Sequence, residues 1–254
     1  MKKLSWFYKY LIFKFRRKID IDEQFLDHKS LDDLFNHFGS DKGTKVRNPY
    51  NKNSKKFFGH GFSKYYEKNF KYFQDKKFNF LEIGTWEGAS LASFAKYFRN
   101  AKIYGLDRNF KFKYKSQKIK FLNCDTTNNN DLDKFKKIIK NIKFKIIIDD
   151  GSHLLSDIIR NFKYFTKFLE KGGYYVVEDY NHPKYFKYLN NANNESLFDM
   201  IIKKIKNKIL FSSEILKKND QKFFHKNLVN IKTYKGLMKE SGRNISNIVF
   251  FKFK

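Results

Sequence analysis

Two periodicities divide the chain. From residue 78 onward, short runs rich in β-branched and aromatic residues alternate with longer stretches in which apolar residues recur every three or four positions. FNFLEIG (78–84), KIYGLD (102–107), IKFLNCD (119–125), FKIIIDD (144–150) and YYVVED (174–179) are five predicted strands, each ending in a glycine or an acidic residue. Helices are predicted between them at 88–98, 130–141 and 154–169, and again at 195–208. A KGG turn at 171–173 separates the third of these helices from the fifth strand. Such alternation predicts an α/β fold with a doubly wound, mostly parallel sheet and helices on both faces. Residues 228–234 and 248–253 bring the sheet to seven strands, as an antiparallel pair. Upstream the texture differs. Helical patches at 31–38 and 65–73 surround a polar loop, GSDKGTKVRNPYNKNSKK, expected to be mobile without ligand. The expected domains are a basic amphipathic arm (1–20), a helical and loop cap (21–75) and the main domain (76–254), with its core at 76–180.

Composition narrows the class. Hydrophobic residues make up 41% of the 254 and aromatics 19%, enough to build a core and exclude a disordered chain despite a net charge of +28. Only seven of the 54 basic residues are Arg, and abundant Lys, Asn, Phe and Ile fit an A/T-rich coding sequence, so most of the charge is read as solvated surface. Cys124 is the only cysteine, which excludes an internally disulfide-stapled scaffold. Lys9 and Lys14 interrupt the apolar run of residues 1–18 and no small-residue cleavage site follows, so neither a signal peptide nor a membrane span is expected. A cytoplasmic protein is the expectation. The arm itself, with seven basic residues and no acid, fits either an anchor on an anionic membrane or a helix packed on its own domain or a second subunit.

In sheets of this kind ligands bind at the carboxyl ends of the strands, where the acids lie. The first strand runs into LEIGTWEGAS, with Glu82, Gly84 and, at a helix start, Gly88. A dinucleotide oxidoreductase would carry a glycine where Trp86 stands. Asp107, 23 residues after Gly84, can accept both hydroxyls of a ribose, and Asp125 an adenine amino group. Together these residues look like the S-adenosylmethionine site of class I methyltransferases; unrelated acids capping strand ends are the alternative. At the ends of strands four and five, Asp150, Glu178 and Asp179 would repel one another without a cation, and hard oxygen donors favour Mg²⁺. An N-cap role for Asp150 or Ser152 and plain solubility for Glu178 and Asp179 are the metal-free alternatives. His153, three residues after Asp150, suits a general base, since an imidazole titrates near neutrality.

These segments carry a resemblance. IIIDDGSH, KGGYYVVEDY, LEIGTWEGASL, FGSDKGT and GHGFSKYYEKNF, over residues 35–180, resemble the Mg²⁺-dependent bacterial sugar O-methyltransferases of the macrolide-glycoside type, and a cephalosporin hydroxylase-like group shares the pattern. The resemblance implies a Rossmann-like fold, Mg²⁺ on Asp150, Glu178 and Asp179, and His153 as base. It also implies a cofactor site of Glu82, Gly84, Thr85, Gly88, Ser90, Asp107, Arg108, Asp125 and Asp149. Trp86-Glu87 departs from the small residues of many relatives, leaving the methionine contacts open. Tyr66 is a further cofactor candidate, with core packing as the alternative. Asp41, Lys42, His60 and His182 are acceptor-side candidates, against solvated loop or surface positions. The expected activity is S-adenosylmethionine-dependent O-methylation of a sugar or glycan hydroxyl by a homo-oligomer. RNA methylation using the basic surface, and a catalytically inactive membrane scaffold, are the competing readings.

Overall fold

The computed structural model describes residues 2–26, 29–45 and 59–254. Most of the polar loop anticipated between the two upstream helical patches, residues 46–58, lies outside the described residues. The main elements are α1 (Lys2–Phe15), α2 (Leu31–Phe38), α3 (Ser63–Phe70), β1 (Asn79–Ile83), α4 (Ala89–Tyr97), β2 (Lys102–Asp107), β3 (Ile119–Asn123) and α5 (Asn129–Ile139). They continue with β4 (Phe144–Asp149), α6 (Leu155–Phe165), β5 (Leu169–Glu178), α7 (Phe198–Lys206), α8 (Lys218–Asn227), β6 (Leu228–Lys235) and β7 (Asn247–Phe253).

The seven strands form one sheet in the order β3-β2-β1-β4-β5-β7-β6. β2 pairs parallel with β3, β1 with β4 and β4 with β5, while β7 runs antiparallel to both β5 and β6. The expected α/β architecture, including the late antiparallel pair, is the one observed. Strands covered on both faces read as continuous apolar runs: Phe144, Ile146, Ile147 and Ile148 of β4 are all buried. β6, at the sheet edge, exposes Lys232 and Lys235, charges that discourage a further strand from adding.

The KGG segment corrects one expectation. It is no turn between elements, for β5 begins at Leu169 and runs through it. Gly172 adopts a left-handed φ of +70°, and the pairing with β4 shifts register between Phe144 and Ile146, so the extra length is absorbed as an irregularity inside the strand. Two short pairings escaped the sequence pattern, Ile19–Asp20 with Tyr114–Lys115 and Lys239–Glu240 with Arg243–Asn244. Two residues are too few to show a period.

The chain divides into two compact units, Met1–Phe78 with Gly84–Ile138, and Asn79–Ile83 with Ile139–Lys254. In the first, Ser30 caps α2 through a reciprocal pair with Asp33, and Gly39 ends it in the left-handed conformation. Phe35 of α2, Tyr66 of α3 and Phe94 of α4 meet edge to face at 5.2 to 6.3 Å. Residues 41–43 and 59–62 are laced together, with the His60 N–H donating to the Asp41 carbonyl (2.6 Å) and the Phe62 N–H to that of Lys42 (2.8 Å). Gly59 is required there, since a Cβ would stand 2.2 Å from the Gly43 carbonyl oxygen.

In the second unit the amphipathic α6 buries Leu155, Ile158, Ile159, Phe162 and Phe165. Phe162 is the hub: its ring stacks on Phe224 at 4.4 Å and lies 4.7 Å from Phe251 and 5.5 Å from Tyr175. Phe162→Ala is expected to cost about 3–5 kcal/mol of unfolding free energy, read as a lowered urea midpoint with an unchanged m-value.

Candidate functional site

In the first unit the backbone after β1 turns sharply. The Gly84 and Thr85 N–H groups both donate to the Leu106 carbonyl at the end of β2, and the Gly88 N–H closes the turn on the Thr85 carbonyl at 2.7 Å. Gly84 and Gly88 take left-handed φ values of +84° and +92°, and Trp86 between them is forced to +48°. Trp86 is half exposed, with the Lys111 ammonium 3.4 Å above its ring.

Asp107 is locked beneath this turn. One carboxylate oxygen accepts the Trp86 N–H (2.8 Å) and the other the Asn109 N–H (2.7 Å), and burial pushes its pKa up against the pull of these bonds. Each oxygen keeps lone pairs that a diol can use. The Thr85 hydroxyl is buried and has no hydrogen-bond partner among the described residues. Ser90 is buried in the first turn of α4, and Arg108 is exposed. Asp125 is half buried, its Oδ1 accepting from the N–H and hydroxyl of Thr127.

Other first-unit candidates lie deeper than a surface reading allowed. Tyr66 is fully buried among Phe35, Phe70 and Phe94. Lys42 is only 1% exposed and His60 is buried, so neither sits on a solvated loop tip.

The second unit holds Glu82 and the acidic cluster. Glu82 is fully buried in β1. Asp149 accepts from the Tyr175 hydroxyl (3.0 Å) and the Asn161 amide (3.2 Å), and burial raises its pKa to about 7. Asp150 follows, its N–H held by the Ile83 carbonyl at 2.9 Å. Ser152 donates to Asp157 at 2.6 Å, which pins the loop into α6 and leaves His153 in the left-handed conformation. The His153 Nε2 lies 3.6 Å from the Asp150 Oδ1.

β5 ends in the same manner. Glu178 and Asp179 are 2% and 3% exposed, unusual for carboxylates. Asp179 is left-handed as well (φ +49°), its N–H donating to the Asn247 carbonyl on β7 while its Oδ1 accepts from the Asn247 N–H. The His182 Nε2 stands 3.6 Å from the same Oδ1, and the His153 and His182 rings meet edge to face at 5.1 Å. Two Asp-x-x-His turns, 150–153 and 179–182, thus converge from neighbouring strands. Among the described residues, His153, Asp179 and His182 form the group of three whose donor atoms lie within 4.8 Å of one another, close enough to share a cation. The sequence pattern pointed to Asp150 and Glu178 beside Asp179 and reserved His182 for the acceptor. The signal for placing His182 at the cluster was the repeated Asp-x-x-His spacing.

Comparison with solved structures follows from this geometry. The MycE methyltransferase of the mycinamycin biosynthetic pathway, solved in complex with Mg, SAH and mycinamycin VI, superposes with a TM-score of 0.66 over 89% of this chain and 55% of that one, at 20% identity. The two share a fold. In sequence, the chain is 30% identical over 129 residues to the mycinamicin VI 2''-O-methyltransferase of Micromonospora griseorubida, covering 48% of this chain and 32% of that protein. It is 31% identical over 127 residues to the 8-demethyl-8-alpha-L-rhamnosyl tetracenomycin-C 2'-O-methyltransferase of Streptomyces olivaceus, covering 47% and 33%. The matched stretch therefore takes in about a third of either relative's length. No protein-family model matches the chain.

The turn over Asp107 tolerates no added carbon at its second glycine. Gly88→Ala would set a Cβ 2.3 Å from the Phe112 ring at a φ that L-residues avoid. It is expected to lower stability by about 1–3 kcal/mol, read by thermal or urea unfolding.

Proposed function

We propose that the chain is an S-adenosylmethionine-dependent O-methyltransferase that acts on a hydroxyl of a sugar or glycan with the help of a divalent cation, Mg²⁺ in the first instance. The observation that carries the reading is the convergence of two Asp-x-x-His turns at neighbouring strand ends, where the donor atoms of His153, buried Asp179 and His182 lie within 4.8 Å of one another. One carboxylate and two imidazoles brought together in this way are a donor set that can hold a cation. On the cofactor side, the fixed Asp107 carboxylate and the unsatisfied Thr85 hydroxyl fit a ligand rich in hydroxyl and amino groups. The shared fold and the names of the relatives support the same reaction class.

Bound S-adenosylmethionine supplies an electrophilic methyl group, and the cation supplies charge that makes a neighbouring hydroxyl more acidic. Asp150, Glu178 and Asp179 would hold the cation; of these, Asp179 has its donor atom within 4.8 Å of those of His153 and His182, so His182 could add a nitrogen donor. Glu82, Gly84, Thr85, Gly88, Ser90, Asp107, Arg108 and Asp125 would hold the cofactor. His153 takes the hydroxyl proton on a ring nitrogen, and its Nε2 lies 3.6 Å from the Asp150 Oδ1. Asp179, gripped by both backbone groups of Asn247, keeps its carboxylate oriented throughout. We place this activity in the 76–254 domain of a cytoplasmic homo-oligomer, a setting that suits the lone buried thiol of Cys124 and the exposed rings of Tyr72 and Tyr188.

The test is transfer of labelled methyl groups by the full chain to a panel of glycans, nucleotide sugars and RNA, with Mg²⁺ or with EDTA. Label is expected on a sugar hydroxyl, with EDTA abolishing transfer. His153→Ala should cut turnover by roughly 10²–10⁴ while leaving S-adenosylmethionine affinity by calorimetry unchanged. Label on RNA alone, or full turnover in that variant, would overturn the assignment.

A further inference from the structure

α1 carries two apolar faces. On a helix advancing about 100° per residue, Trp6, Tyr10 and Phe13 share one side. That side packs on the first unit: Trp6 stacks on Tyr10 at 5.6 Å, all three rings lie 5.4 to 5.7 Å from Phe110, and Phe13 reaches Phe121. The opposite side is apolar too. Phe7, Tyr8, Ile12 and Phe15 fall within an arc of roughly 140° pointing away from that contact. They are 54%, 66%, 43% and 78% exposed.

Cations border this outer arc. Lys9 and Lys14 lie at its two edges, and Arg16 and Arg17 follow its end, all exposed. Residues 1–18 contain seven basic side chains and no acidic one. A second copy of the helix laid against this face would bring like charges together, which is unfavourable. Bare nucleic acid would satisfy the cations and leave four apolar side chains wet. An anionic lipid surface satisfies both, taking the aromatic and aliphatic arc among acyl chains and the cations among headgroups. No helix among the described residues is long and apolar enough to cross a membrane, so the contact is one of lying on the bilayer.

We propose that the outer face of α1, Phe7, Tyr8, Ile12 and Phe15 flanked by Lys9 and Lys14, docks the protein in the plane of an anionic bilayer surface. The inner aromatic face holds the helix to the domain meanwhile. This docking is independent of the methyl-transfer reading, and its test does not measure activity.

The full chain is spun with phosphatidylcholine vesicles, pure or containing about a third phosphatidylglycerol. Binding is expected to the anionic vesicles alone, weakening severalfold as NaCl rises from about 0.1 M to about 0.5 M. Replacing Phe7, Ile12 and Phe15 together by Ser should reduce binding roughly tenfold or more. Replacing Lys9, Lys14 and Arg17 by Gln should abolish the preference for anionic lipid with the fold intact by circular dichroism, and this variant decides the matter if the Ser variant misfolds. Equal binding to neutral vesicles, no binding, or an undiminished Ser variant would overturn the proposal. So would a wild-type dimer that the Ser variant converts to a monomer, since a second copy would then cover the face.

Discussion

The parallel register of β4 against β5 is the constraint on which the acidic end of the sheet depends. Asp149 pairs with Val177, so Asp150 and Glu178 leave the ladder at the same level. β7 then sets Ile248 beside Glu178, which puts the Asn247 backbone where it grips Asp179. A slip of one residue would turn every side chain to the other face and disperse the cluster. What resists the slip is burial: Ile146, Ile147, Ile148, Val176, Val177 and Val249 are all inaccessible to solvent, each contributing roughly 1.5–3 kcal/mol.

That core sustains two unusual features at its rim. His153 and Asp179 both occupy left-handed backbone conformations, at a cost of about 1–2 kcal/mol each. Two carboxyl groups, Glu178 and Asp179, are buried at the same place, where side chains of that kind are rarely found. Backbone strain of this kind persists only where the surrounding packing over-determines it. The Asp107 turn obeys the same logic on a smaller scale, with Trp86 held left-handed by a carboxylate that accepts its N–H.

Aromatic side chains do much of the packing. With 31 Phe and 16 Tyr, the chain fills its interiors with ring clusters such as Phe35-Tyr66-Phe94 and Phe162-Phe224-Phe251, whose edge-to-face and stacked contacts hold large volumes in few rotamers. Some lysines set their ammonium over such a ring, as Lys18 does over Phe13 and Lys111 over Trp86. Lys42 departs from the pattern, an almost wholly buried lysine at the laced base of residues 41–43 and 59–62.

Periodicity alone determined the five core strands, the helices between them and the late antiparallel pair, because burial on two faces writes long apolar runs such as FKIIID into the chain. The acids closing those strands were legible for the same reason, since a charge after such a run marks where the sheet meets water. Only tertiary structure decided the rest. The KGG segment reads as a turn, but pairing with β4 draws it into β5, for partners across a sheet outweigh local propensity. His182 joined His153 and Asp179 through the parallel register, and Lys42 went inside through contacts between segments distant in sequence. The first helix shows the division most simply. Its composition declared it basic and apolar, yet which aromatic face packs on the domain was settled by the position of Phe110 and Phe121, about a hundred residues further along the chain.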